Sequence, residues 1–289
     1  MKANYSKNHQ SKFTNTAEIQ TTVTKSPSIN ETQSNTLANR KKFKSIFYEL
    51  ARKHGTHTVW NDFITIIACV ISNLADSRFY MERKQLALET AKRYTIDEYK
   101  NIRNLAVITS AALHENPEQD FLGEMFMELK LNDQKNGQVF TPYCLAALTA
   151  QLNLTFSKEN IGDKEEISSA DYCCGSGVLL IAFANEAKRV FSDFESRHMF
   201  VAQDINPTIA LMCYIQLSIF GYKAIVKIGD SLNEPFSEED KISENVWFTP
   251  TYVNKEKWEI ISLTSAILSE KFMQENKNNS DCNEEQFPA

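Results

Sequence analysis

The chain has 289 residues, 42% of them hydrophobic and 24% charged, with 31 basic against 37 acidic side chains and a net charge of -6. That supplies enough apolar material for a sizeable core, while the acidic balance argues against the broad basic footprint of an independent DNA binder. Six cysteines, at 69, 144, 173, 174, 213 and 282, form no C-x-x-C pair and accompany no secretory signal, which points to a reducing cytoplasm rather than a disulfide framework.

Residues 1 to about 38 are dense in Ser, Thr, Asn and Gln and read as a disordered polar tail. Residues 39–131 read as a helical domain, with helices predicted over Phe43–Lys53, Phe63–Leu74, Lys84–Tyr94, Asp97–Leu113 and Glu118–Leu131. Leu105, Ile108 and Ala112 recur at helical intervals, as a bundle core requires. Phe121, Leu122, Met125, Phe126 and Leu129 make the last of these helices amphipathic, suited to docking the bundle against the nucleotide-binding pattern C-terminal to it. The apolar run Phe63 to Leu74 is too short to cross a membrane, and Asn61-Asp62 before it reads as a helix start. His54 and His57 lack the further ligands a metal site needs and read as surface loop. Lys41, Lys42, Lys44, Arg52 and Lys53 read as a solvated helix face.

Residues 132–270 carry an α/β pattern. Thr141 and Pro142 suit the start of a helix over Tyr143–Leu152, as cap and first-turn residue. After a polar segment, Ser157 to Glu166, come strand Ile167–Asp171, helix Val178–Val190, strand Met199–Asp204, helix Pro207–Phe220 and strand Ala224–Asp230. Asn206-Pro207 opens the second of these helices and Gly221 closes it. Between the first strand and helix lies Asp171-Tyr-Cys-Cys-Gly175-Ser-Gly177, a turn in which glycine lets backbone approach a ligand closely. Asp204 and Asp230 end the next two strands, where a doubly wound sheet binds nucleotides, and an aspartate there can accept both ribose hydroxyls. A dinucleotide fingerprint would place a third glycine at position 180, which is Leu180, and no Gly-Lys-Ser/Thr ending follows Gly177. The turn therefore suits a nucleoside without a phosphate chain, and S-adenosylmethionine fits that description.

Gly137-Gln-Val-Phe140-Thr141-Pro142, Asp171 to Gly177, Gln203-Asp204-Ile-Asn206 and Gly229-Asp230-Ser-Leu232, in that order, resemble the adenine-specific N6 DNA methyltransferases related to the methylation subunit of type I restriction systems. The resemblance runs from just before Gly137 to Leu232. It implies that Phe140, Thr141 and Pro142 close over the methionine end of the cofactor. By the same resemblance Asp171, Gly175 and Gly177 hold its amino-acid part, Asp204 binds ribose and Asp230 contacts adenine. Tyr172 stands where the family usually has proline.

That family also carries an Asn/Asp-Pro-Pro-Tyr/Phe element at the end of its fourth strand, which grips the extruded base. The nearest string, Asn233-Glu-Pro-Phe236, follows Asp230 too closely to end a new strand and reads as a loop. Val246 to Pro250 reads as a short strand or an aromatic loop, Trp258 to Glu270 as a helix, and residues 271–289 as a polar acidic tail. The expected fold is thus a Rossmann-like S-adenosylmethionine-dependent methyltransferase fold, truncated after its third strand and preceded by a helical domain. No residue is assigned a catalytic role. Two functions are compatible with this pattern: an adenine methyltransferase whose missing half another polypeptide supplies, or a noncatalytic module descended from one. Either implies a restriction or modification protein as partner, with DNA reached through that partner and no membrane.

Overall fold

A computed structural model describes residues 29–132, 139–161 and 166–254. Gly137, Gln138, residues 162–165 of the polar segment before the first strand, the Trp258–Glu270 helix and both outermost tails lie outside the described residues. The first five helices are α1 (Ile29–His54), α2 (Thr56–Ala75), α3 (Tyr80–Ala91), α4 (Ile96–Glu115) and α5 (Phe121–Glu128). After α6 (Tyr143–Ile161), the chain alternates through β1 (Ile167–Asp171), α7 (Val178–Val190), α8 (Phe194–Arg197), β2 (His198–Asp204), α9 (Pro207–Ile219) and β3 (Ala224–Ile228). A 3-10 turn, Glu238–Ile242, precedes β4 (Val246–Phe248) and α10 (Pro250–Val253).

Local signals set many of these ends. Thr95 and Glu98 form a reciprocal capping box at the start of α4. Asn206 caps α9 by accepting the Ile209 N–H, with Pro207 in the first turn. Lys188 and Arg189 sit in the last turn of α7, where cations complement the helix dipole. Two starts differ most from the sequence reading. α1 begins at Ile29, inside the segment assigned to the polar tail, because Ser, Thr, Asn and Gln disfavour a helix only weakly. α2 begins at Thr56 behind Gly55, well before Asn61-Asp62. At 20 residues it has the length and hydropathy of a membrane span, contrary to the shorter run expected. It is a core helix, with Trp60, Phe63, Ile64 and Ile66 all buried.

The sheet order is β1-β2-β3-β4, parallel through the first three strands, with β4 antiparallel to β3. Val246 to Phe248 is therefore a strand, so the sheet runs past its third strand by one reversed neighbour. Side chains alternate across the sheet. Phe200, Ala202, Ala224 and Val226 join the main core. Gln203 and Lys227, both buried, instead bind the loop after β3. Gln203 donates to Glu234 O at 2.9 Å, and the Lys227 ammonium reaches Asp240 at 2.8 Å and Glu234 O at 3.0 Å. Residues Ile209 to Ser218 of α9 are buried without interruption, as befits a helix apolar all round.

The helical region and the sheet share one continuous core, running from Phe43 and Trp60 through Phe121 and Met125 to Ile215 and Trp247. Two arginines fasten the outer strand to it. Arg83, 2% exposed, donates to Asp76 at 2.9 Å and to Val246 O at 3.0 Å, with its guanidinium 4.0 Å from the Trp247 ring centroid. Arg78 donates to the same carbonyl at 3.1 Å and lies 3.4 Å above Phe248. Burial alone would raise the Asp76 carboxyl, but Arg78 and Arg83 hold it below its ordinary value.

Candidate functional site

Parallel strands bring the carboxyl ends of β1, β2 and β3 to one edge of the fold, and the glycine turn leaves β1 there. Gly175 and Gly177 have φ of +56° and +95°, a region glycine enters without steric cost. A Cβ on Gly177 would also stand 2.8 Å from Cys213 Sγ on α9, so α7 starts as close to α9 as the backbone allows. The turn is stitched to β2: Gly175 N–H donates to Asp204 Oδ2 at 3.0 Å and Cys174 N–H to Gln203 O at 2.9 Å. The Cys174 thiol is pushed well up by its hydrogen bond to Cys213 and by burial, which makes it an unreactive packing group.

Above the turn lies a cavity of about 1180 Å³, more than the roughly 300–1,000 Å³ of a small-molecule site. One wall is the sheet edge, with Cys173 to Ser176, Asp204 and Ile205; the other includes His57 and Asn61 of α2, Lys130 and Phe140. Phe140 packs 5.6 Å from the Phe126 ring centroid. Its edge would lie 3.6 Å from a Cβ on Gly175, so the ring roofs the turn.

The eight residues expected to bind cofactor divide in two. Phe140, Thr141, Gly175 and Asp204 line the cavity. Pro142 instead stands just before α6, its carbonyl accepting the N–H of Leu145 and Ala146, and Gly177 sits behind the turn against Cys213. Asp171 lies at the root of the turn, where Oδ1 accepts the Cys173 N–H at 3.1 Å and Oδ2 is buried without a partner. Burial raises its carboxyl, and the nearby Asp204 charge adds to the shift. Asp230 lies outside the lining, past the end of β3. Its oxygens accept Leu232 N–H at 2.9 Å and Asn233 Nδ2 at 2.6 Å, and these bonds hold its carboxyl below the usual range.

A nucleoside carrying an amino acid fits the donors and acceptors present. Asp204 already accepts Asn206 N–H at 2.9 Å as well as Gly175 N–H, yet a carboxylate has about four lone-pair sites, so two remain for ribose hydroxyls. Asp171 Oδ2 is an orphaned acceptor, and a buried one gains from a cationic donor. Ile205, 68% exposed on the cavity wall, offers an apolar face for a purine.

Neither Asn233 to Phe236 nor the segment that follows β4 lines the cavity. Asn233 to Phe236 form the loop expected: Asn233 binds Asp230, while Phe236 N–H donates to Gln203 at 3.1 Å. Thr249-Pro250-Thr251-Tyr252 does follow a strand, but β4 is reversed, so it leaves the sheet at the opposite edge. There Thr249, fully buried, accepts Ala224 N–H at 2.9 Å and donates to Tyr222 O at 2.8 Å. Among the described residues no group of three His, Cys, Asp or Glu side chains could hold a metal ion.

Sequence reasoning missed His57, Asn61, Lys130 and Ile205. For Ile205 a signal existed, since a large apolar residue directly follows the strand-end acid. Lys130 has φ +55°, ending α5 in a motif with Leu131 N–H on Phe126 O at 3.1 Å and Lys130 N–H on Met127 O at 3.0 Å. Glycine usually takes that place, and no local pattern announces a lysine there.

A family model described as N-6 DNA Methylase matches residues 118–284. A crystal structure of a Listeria monocytogenes protein assigned to the class I S-adenosylmethionine-dependent methyltransferases aligns at 12% identity, covering 68% of each chain with a TM-score of 0.34. No curated protein matches the chain.

Proposed function

Because this chain belongs to the N-6 DNA methylase family, whose cofactor is S-adenosylmethionine, we propose that it is the cofactor-binding part of an adenine-N6 DNA modification system, without autonomous catalysis. The observation that carries this is the pairing of a formed cofactor edge with a missing base grip: Asp204 and the glycine turn face a cavity, while no Asn-Pro-Pro-aromatic element meets it among the described residues.

When bound, the cofactor supplies an electrophilic methyl group. Asp204 would hold the ribose hydroxyls, Ile205 would offer its apolar face to the purine, and the Gly175 turn beneath the Phe140 ring would take the amino-acid end. Asp171, behind the turn and outside the lining, would support that end at one remove through its hold on the Cys173 N–H. Thr141 borders the same end of the cavity, with Pro142 fixing the start of the helix behind it. Asp230 acts at one remove, shaping the loop after β3.

A base-gripping element from another polypeptide would complete the enzyme, and a restriction or modification protein is the proposed partner. The net charge of -6 favours DNA contact through that partner. Five described cysteines are free thiols, in keeping with a cytoplasmic setting.

Two measurements test the reading. Calorimetry is expected to detect S-adenosylmethionine binding to the purified chain, and absence of heat at saturating cofactor would remove the cofactor claim. Labelled methyl transfer to adenine-containing DNA is expected to be nil. Transfer by the purified chain alone would overturn the noncatalytic assignment.

A further inference from the structure

We propose that Asp120, which belongs to the helical region, is a positioning residue for the cofactor turn: it grips Ser176, the residue between the two turn glycines, and so sets the site from outside it. This rests on the reading of the cavity as a cofactor site.

Asp120 is 2% exposed and uses both carboxylate oxygens. Oδ1 caps α5 by accepting Gly123 N–H at 2.9 Å and also accepts Gln216 Nε2 of α9 at 2.8 Å. Oδ2 accepts the Ser176 hydroxyl. Gln216 Nε2 donates in addition to Ser176 O at 2.8 Å, and Gln216 Oε1 accepts Leu122 N–H at 3.2 Å. Ser176 is therefore held twice, by its hydroxyl from α5 and by its carbonyl from α9.

A helix cap alone does not call for this arrangement. Serine or asparagine caps as well as aspartate, whereas burying a carboxylate with only neutral donors around it is costly; burial raises the Asp120 carboxyl accordingly. What aspartate adds is a second acceptor oxygen aimed in a second direction, and that oxygen goes to the turn. Gly123 completes the fit, since a Cβ there would overlap the Asp120 carboxylate and stand 2.5 Å from Ser176 Oγ.

Asp120→Ser keeps a capping hydroxyl but is too short to hold Ser176, and Ser176→Ala removes the other end of the same link while leaving the cap untouched. Amide hydrogen exchange on the full chain without ligand is expected to quicken about tenfold or more at residues 174–178 in each variant, with amides of Leu105 to Ala112 in α4 unchanged. The double variant is expected to be no faster than either single one. Titration with S-adenosylmethionine should show roughly tenfold weaker binding in both. Wild-type exchange at the turn in either folded variant, or additive effects in the double one, overturns the proposal; if Asp120→Ser does not fold, Ser176→Ala alone decides. A loosened turn in a protein that never binds S-adenosylmethionine would sink the cofactor reading and leave the positioning role standing.

Discussion

Asp204 Oδ2 accepts the backbone N–H of Gly175 at 3.0 Å across the gap between β2 and the glycine turn. One carboxylate thereby both shapes the turn and faces the cavity. Asp204→Ala removes the acceptor for Gly175 and Asn206 together with the proposed ribose contact. A hydrogen bond to a charged group is worth about 1.5–3 kcal/mol, so S-adenosylmethionine affinity is expected to fall roughly tenfold to a hundredfold. Calorimetry measures it directly, and wild-type affinity would take Asp204 out of the site.

Gly177 is constrained twice, by its φ of +95° and by Cys213 Sγ at 2.8 Å from where a Cβ would lie. Gly177→Ala is expected to cost about 1–2 kcal/mol for the backbone and a further ~1–3 kcal/mol for overpacking. Cys213→Ala should return part of the second cost and none of the first. Urea melts of the two single variants and the double variant separate these contributions; equal losses of Gly177→Ala in both backgrounds would show that the sulfur makes no clash.

Arg83 joins α3 to β4. Arg83→Met keeps the bulk but strips Asp76 of one of its two arginine partners and weakens the hold on Val246 O. Breaking a buried pair typically costs about 3–5 kcal/mol. Arg78 still pairs with Asp76 at 2.7 Å and with Val246 O, so the loss is expected at the low end of that range. A melting temperature within about 1 °C of wild type would contradict the role given to this cluster, since a loss of ~3 kcal/mol corresponds to roughly 5 °C in a chain of this size.

His198 is buried among Phe183, Phe194 and Phe200, and burial pushes its imidazole down to about 4. In the unfolded chain the ring titrates near ~6.5. Between those values the unfolded state binds a proton that the folded state refuses, so stability is full above about pH 6.5 and declines as pH falls toward 4. The loss from this group is on the order of 3 kcal/mol. Chemical denaturation across that window should show the slope in the wild type and a shallower one in His198→Gln. The same slope in both would assign the pH dependence to other groups.

The alternation of strand and helix after Ile167 was legible because each signal lies within a few residues. Asn206-Pro207 caps a helix wherever it is placed, and Gly175 and Gly177 permit a turn that other residues resist. The cofactor wall was half legible for the same reason: Asp204 and Gly175 follow from strand ends, whereas His57, Asn61 and Lys130 arrive from helices far away in the chain. Asp230 shows the limit of strand-end logic, because the β3 ladder stops at Ile228 and two local hydrogen bonds then claim the carboxylate.

The sequence by itself determined where the glycine turn falls, that Asp171 and Asp204 end their strands and that α9 is capped, since capping and left-handed φ are local properties of the chain. The tertiary structure decided the direction of β4, the grip of Asp120 on Ser176 and the fastening of Val246 by Arg78 and Arg83. A three-residue strand takes its polarity from the partner it pairs with, and a buried donor finds its acceptor wherever packing brings one. Those choices depend on contacts between distant segments, which no short stretch of sequence carries.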